Sequence, residues 1–145
     1  MDSSCSGRKV HIVFHWGILM TQEKRTASVV INGRNVSVEW TRAAASELAR
    51  RPRPLVVELE LYFSCLVKKF VHFREDAGNR ETVAASDKLL LYFRPVTSTA
   101  CSFEVAERLG RQPEMELHGE AVGRIAPKKV SIDYARGAWR GCYSV

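Results

Sequence analysis

The sequence has few cysteines and none of the short motifs that identify common enzyme or cofactor sites. Its four cysteines, Cys5, Cys65, Cys101 and Cys142, lie far apart and form no C-x-x-C pair. This spacing disfavours a disulfide framework and predicts reduced thiols. Glycine-rich phosphate loops, the G-x-S-x-G elbow and the H-E-x-x-H zinc motif are all missing. We therefore predict no catalytic residue, no metal site and no cofactor, and the sequence leans away from an enzyme.

Long hydrophobic runs are missing as well. The longest uncharged stretch, Val10 to Gln22, is too short to cross a bilayer and contains His11 and His15. The same histidines, together with Trp16, interrupt the apolar region that a secretory signal would need, and no A-x-A site follows. We therefore predict a cytoplasmic protein without a membrane partner.

The composition that remains is that of an ordinary globular domain with an excess of positive charge. Of the 145 residues, 46% are hydrophobic and 26% are charged, which is enough for one domain with its own core. Lysine and arginine number 22 against 16 acidic residues, so the net charge is +6. This excess favours a polyanion or an acidic protein surface as partner. We predict a flexible polar tail over residues 1 to 9 and a single domain over residues 10 to 145.

The run from Leu55 to Phe73 contains neither glycine nor proline, and its odd positions are apolar except at Lys69. A period of two predicts a β-strand with one buried face. Several positions also fit an amphipathic helix, but the many valines and aromatic residues favour a strand. A single extended strand of this length would span about 60 Å, whereas a domain of this size is roughly 40 Å across. We therefore expect the run to bend, bulge or split.

Two dipeptides predict β-hairpins. Asn32-Gly33 and Arg136-Gly137 each separate two segments whose residues alternate between apolar and polar. Asn-Gly readily adopts the positive φ values of a type I′ turn, and a two-residue turn fixes the register of both strands. The predicted cross-strand partners are Ile31 and Arg34, Val29 and Val36, and Ala27 and Val38 in the first hairpin, and Tyr134 and Trp139, Asp133 and Arg140, and Val130 and Tyr143 in the second.

Weaker signals predict the remaining elements. Val10 to Met20 is predicted as a strand, and Lys88 to Val96 as a strand that returns beside the long run. Thr41 and Ser102 are candidate N-caps of two short helices. Between Gly110 and Pro127 we predict loops around a short strand. The predicted fold class is mainly β (α+β), an antiparallel sandwich or strongly curved sheet of roughly six to eight strands with one or two short helices.

The polar face of the long run offers a first candidate site. Glu58 and Glu60 would lie about 7 Å apart on that face, a separation compatible with paired-carboxylate chemistry. His11 and His15 are candidate metal ligands by residue type, but residues four apart in a strand are about 13 Å from each other, too far to share one ion. The resulting hypothesis is a small enzyme or ligand carrier with a pocket at Glu58, Glu60, His11 and His15.

Basic residues offer the second candidate site and the one that we favour. Basic and aromatic side chains are interleaved in the long run and directly before and after it, and they suit phosphate contacts and stacking on bases. This candidate binding set consists of Arg50, Arg51, Arg53, Tyr62, Lys68, Lys69, Phe70 and Arg74. The corresponding hypothesis is a non-enzymatic binding or assembly module that contacts nucleic acid or an acidic protein.

Overall fold

The computed structural model describes residues 12–13, 19–20, 24–64, 66–98 and 114–145. In chain order the elements are β1 (Ile12–Val13), β2 (Leu19–Met20), β3 (Arg25–Ile31), β4 (Arg34–Trp40), α1 (Arg42–Arg50), β5 (Leu55–Phe63), β6 (Val67–Arg74), β7 (Val83–Ser86), β8 (Leu89–Ser98), β9 (Glu114–Glu116), α2 (Val122–Ile125), β10 (Lys129–Ala135) and β11 (Ala138–Ser144). The predicted tail, the helix after Ser102, His11 and His15 lie outside the described residues.

Two main sheets form the sandwich that the sequence predicts. One has four strands in the order β11-β10-β4-β3, and the other has five, in the order β6-β5-β8-β7 with β9 paired to β8. Two pairings are parallel, β4 with β10 and β5 with β8, so the sheets are mixed. Nine strands in the two sheets exceed the roughly six to eight expected from usual strand lengths.

Both predicted hairpins are confirmed. Asn32 and Gly33 have φ values of 50° and 77°, and Arg136 and Gly137 have 54° and 74°, as two-residue turns of this type require. All six predicted cross-strand pairs are present. The predicted cap is confirmed too, because the Thr41 side chain accepts a hydrogen bond from the backbone N–H of Ala44 at the start of α1.

The long run splits into a hairpin. β5 and β6 pair in antiparallel fashion, which sets Glu58 opposite His72 and Val56 opposite Arg74. The acidic first half of the run thus lies against its basic second half. On the other side of β5, the predicted strand from Lys88 is β8, and it pairs with β5 along the whole strand.

The apolar core lies between the two main sheets. Odd-numbered residues of β5 and β8 contribute to it from the five-stranded sheet, and β4, β10 and β11 contribute from the other. At Gly141 in β11, an added Cβ would come within 3.0 Å of Val71 and 3.1 Å of Phe73, so β11 packs closely over β6. The Tyr143 hydroxyl donates a short hydrogen bond to the backbone carbonyl of Glu60 and links the sheets through the core.

One strand prediction is wrong. Instead of one continuous strand from Val10 to Met20, the structure pairs Ile12 with Met20 and Val13 with Leu19. β1 and β2 are therefore two short strands that pair with each other, and a period of two does not distinguish two paired strands from one continuous strand.

The prediction of reduced thiols is also corrected, since Cys142 is disulfide-bonded. The scattered spacing that argued against a disulfide carried no information about which distant segments meet in space. Among the described residues, no helix combines the length and the apolar character needed to span a membrane.

Candidate functional site

The even-numbered residues of β5 lie on the face of the five-stranded sheet that points away from the core. Their neighbours in the sheet are β6 on one side and β8 on the other. Glu58 therefore lies between His72 and Tyr92, and Glu60 has Arg94 as its neighbour in β8. The register of three strands brings opposite charges together on one face.

Glu58 is buried and uses both carboxylate oxygens. Tyr92 donates its hydroxyl to Oε1 at 2.6 Å, and Arg74 donates Nη2 to Oε2 at 3.0 Å. His72 Nε2 lies 3.7 Å from the same Oε2. Each contact favours the ionised carboxylate.

Glu60 is buried to the same degree and has its own partners. Arg94 donates Nη1 to Oε1 at 2.9 Å, while His72 Nε2 lies 3.2 Å from Oε2. One imidazole therefore approaches both buried carboxylates. This arrangement satisfies the rule that a charge removed from water needs a hydrogen-bonded partner of opposite charge.

A third carboxylate extends the network along the edge of the same face. Arg80, in the connection before β7, holds Glu116 of β9 with two hydrogen bonds of 2.7 and 2.6 Å. Arg94 Nε lies 4.0 Å from the same glutamate, and the Arg80 guanidinium lies over the Tyr92 ring, 5.2 Å from its centroid. Such a bidentate contact is the geometry in which arginine binds a carboxylate best.

The pKa values follow from these contacts. Burial by itself raises the pKa of Glu58, but the hydrogen bonds from Tyr92 and Arg74 outweigh burial and hold the pKa below its usual value. The two hydrogen bonds from Arg80 lower the pKa of Glu116 against the opposing effect of burial. Burial and the bond to Glu58 raise the pKa of Tyr92 to about 12. Glu58 and Glu116 are therefore ionised and Tyr92 is neutral at pH 7.

These side chains line a depression of about 440 Å³, which we call the ionic pocket. Its lining residues are Glu58, Glu60, His72, Arg74, Asp76, Ala77, Gly78, Arg80, Tyr92 and Arg94. The two glutamate side chains at its base are only 5% and 2% exposed, whereas those of Arg74 and His72 are 49% and 37% exposed. The pocket therefore has an acidic floor under a basic rim.

The described residues contain one group of side chains that could bind a divalent cation. Ligand atoms of Glu58, Glu60 and His72 lie within 4.8 Å of one another. Both carboxylates already bind guanidinium groups, those of Arg74 and Arg94. A cation at this position would have to compete with two fixed positive charges, so the residues fit an arginine network better than a metal centre.

Only part of the predicted basic set reaches the ionic pocket. Arg74 lines it, but Lys68 pairs with Tyr62 at the opposite end of β6. Lys69 points to the core side, where its Nζ lies 5.9 Å from the centroid of the Tyr143 ring. Phe70 stacks on His72 between the two ends.

The three arginines around the end of α1 form a separate group. Arg51 binds Glu75 at 2.6 Å, Arg53 accepts a hydrogen bond from Arg51 through its carbonyl, and Arg50 is largely exposed beside Glu47. These residues do not line the ionic pocket. The basic set is thus spread over two ends of the β5–β6 hairpin and both faces of β6.

Several pocket residues were missed by sequence reasoning. Tyr92 and Arg94 share the even face of β8, a strand that the sequence predicts beside the long run, but alternation does not give the register that sets them opposite Glu58 and Glu60. Arg80 lies in a loop, and no periodic signal marks it. The same is true of its partner Glu116, which lies outside the pocket lining in a three-residue strand.

No protein-family model matches the chain, and neither a curated protein nor a solved structure matches it. The ionic pocket is therefore the feature from which a function can be inferred.

Proposed function

We propose that the protein is a non-enzymatic binding module that accepts an acidic side chain of a partner protein in the ionic pocket. The observation that carries this proposal is the buried acidic floor, which holds partly exposed guanidinium groups in fixed positions. Arg74 is bound through one nitrogen to Glu58 and keeps about half of its side chain exposed. Arginine with donors still open to solvent is well suited to carboxylate recognition.

The fixed positions of the arginines support this proposal on energetic grounds. Ordering a long side chain on binding costs about 0.5–1.5 kcal/mol. Arg74 and Arg80 are already held by carboxylates, so a partner would avoid much of this cost. These arginines therefore lose less side-chain freedom on binding a carboxylate than the same arginines would on a free surface.

Charge balance disfavours a nucleic acid as the partner. Three arginines of the network face three glutamates, and Asp76 adds a further negative charge to the pocket. A phosphate backbone needs many uncompensated positive charges, whereas one carboxylate needs only a local pair of donors. Tyr92 is also buried beneath Arg80, so its ring does not offer a surface for base stacking.

The alternative of a hydrolase that uses Glu58 and Glu60 receives less support. A general acid of this kind needs a raised carboxyl pKa, yet that of Glu58 is lowered. Both carboxylates also bind guanidinium groups that compete for their charge. A ligand carrier that uses the same pocket differs from our proposal only in the size of the ligand.

The test is a binding titration with a fluorescent poly-glutamate peptide and a single-stranded oligonucleotide as probes. Arg74→Gln should weaken peptide binding about tenfold, the effect of about 1.4 kcal/mol of lost charge-assisted hydrogen bonding. Arg50→Gln is the matched control, since Arg50 is also paired with a glutamate but lies outside the pocket. It should bind as the wild type does.

Three results would overturn the proposal. They are no peptide binding at low salt, equal loss in the two variants, and tighter binding of the oligonucleotide than of the peptide. Arg74→Lys and a thermal melt separate lost recognition from lost folding, because lysine keeps the charge while removing the planar fork.

The cytoplasmic location stays a prediction. The disulfide of Cys142 argues against this prediction, because protein disulfides persist mainly in oxidising compartments.

A further inference from the structure

β6 is an edge strand that borders the ionic pocket. Within the described residues it pairs with β5 alone, so no described strand hydrogen-bonds to its other side, although β11 packs over its core-side face. Two apolar side chains of this strand, Val67 and Phe70, are 46% and 39% exposed. An open edge presents unpaired N–H and C=O groups to which another strand can add.

The side chains of β6 define what kind of strand would fit. The strand contains Lys68, Lys69 and Arg74 together with His72, and it has no acidic residue. Opposite charges directly across an antiparallel pair are stabilising and like charges are destabilising. An acidic segment therefore complements this edge.

We infer that β6 accepts an extended acidic segment of the partner protein as an added antiparallel strand. The inference rests on the proposed function and names the form in which the acidic side chain arrives. On the pocket face, alternate residues of the segment would lie opposite Arg74, His72, Phe70 and Lys68 in that order. The pattern is an acidic residue first, an apolar residue four positions later and a second acidic residue two positions after that.

A second copy of this chain is a poor occupant of the same edge. Two antiparallel β6 strands would set lysine and arginine side chains against lysine and arginine side chains, because the strand has no acidic residue to oppose them. Like charges in such pairs oppose association, and lysines on an edge are a known means of preventing it.

The experiment uses the full chain and the synthetic peptide Glu-Thr-Thr-Val-Leu-Glu-Glu, with capped ends. Two further versions carry N-methyl groups on alternate residues, one version on each of the two alternating sets. In a strand only one set of amides faces the neighbour. One methylated peptide should therefore bind about a hundredfold more weakly, the loss of several backbone hydrogen bonds, while the other binds as the unmodified peptide does.

A second readout comes from the protein itself. Amide hydrogen exchange should slow at every second residue of β6 when the unmodified peptide binds, and β3, an edge strand of the other sheet, should not change. A lysine version of the peptide, with each glutamate replaced, should not bind.

The outcomes separate this inference from the proposal beneath it. If both methylated peptides bind equally while Arg74→Gln still weakens binding, strand addition is overturned and the pocket proposal stands. If binding does not depend on Arg74, the proposed function fails as well. Concentration-dependent dimer formation through β6 in sedimentation runs would overturn the choice of occupant.

Discussion

The two faces of β5 are almost equally buried but are covered by different chemistry. On one face Val57, Leu59 and Leu61 are at most 2% exposed and pack against the opposite sheet. On the other, Glu58 and Glu60 are 4% and 2% exposed and lie among arginines. An antiparallel sheet with one solvated face normally shows clean alternation of burial. In β5 the residues alternate between apolar and acidic, but both kinds are buried. The residue type therefore predicts what each side chain contacts, an apolar core or an arginine, and not how deeply it is buried.

The two faces of β5 also differ in what they contribute, one to the stability of the fold and the other to the position of side chains. Apolar burial is favourable in proportion to area and hardly depends on pH. A buried ion pair gains little net stability because desolvation offsets the attraction, yet removing one partner is costly. We therefore expect the apolar face to supply most of the stability and the ionic face to fix where Arg74 and Arg94 lie.

The largest expected effect tests the apolar face. Leu59→Ala should lower the free energy of unfolding by about 3 kcal/mol, because it removes a fully buried side chain and leaves a cavity. Urea denaturation gives this value directly. A loss below about 1 kcal/mol would show that this face of β5 is not packed as described.

A smaller effect tests the ionic face. Glu58→Gln keeps the shape and an acceptor for Tyr92 but removes the charge that faces Arg74. We expect a loss of about 2 kcal/mol, less than for a fully buried pair because Arg74 is half exposed to water. The control is Glu47→Gln, which removes the exposed pair with Arg50 and should cost at most about 0.5 kcal/mol. Equal losses of unfolding free energy in the two variants would contradict the expected difference between a buried and a surface ion pair.

The smallest effect sharpens the comparison through pH. The folded pKa values of Glu58 and Glu116 are lowered, so their contribution to stability is present above the unfolded value of 4.5 and is lost as the pH falls toward the folded values. Unfolding free energies measured at falling pH should decline less steeply in Glu58→Gln than in the wild type. Leu59→Ala should give a curve parallel to that of the wild type. A Glu58→Gln curve parallel to that of the wild type would contradict the lowered pKa of this carboxyl.

Local features of the fold could be predicted where the signal and its cause lie in the same few residues. Asn32-Gly33 fixes its turn and register because its backbone accepts positive φ, and Thr41 caps α1 with its own hydroxyl. The prediction of one strand from Val10 to Met20 is wrong because residue alternation looks the same in one continuous strand as in two strands that pair with each other. Of the ten residues that line the ionic pocket, the sequence predicts Glu58 and Glu60 as pocket residues and Arg74 as a member of the basic set.

The sequence by itself determined that β5 and β6 are extended, that the odd-numbered residues from Leu55 to Leu61 are buried and that the even positions of the run change from acidic to basic. Only the tertiary structure decided that the acidic half folds against the basic half, and that β8 supplies Tyr92 and Arg94 on the other side. The physical reason is the distance along the chain over which each kind of interaction acts. Alternation and turn conformation are properties of neighbouring residues, whereas the pairing of distant strands is chosen by how the whole chain buries its apolar area and compensates its charges.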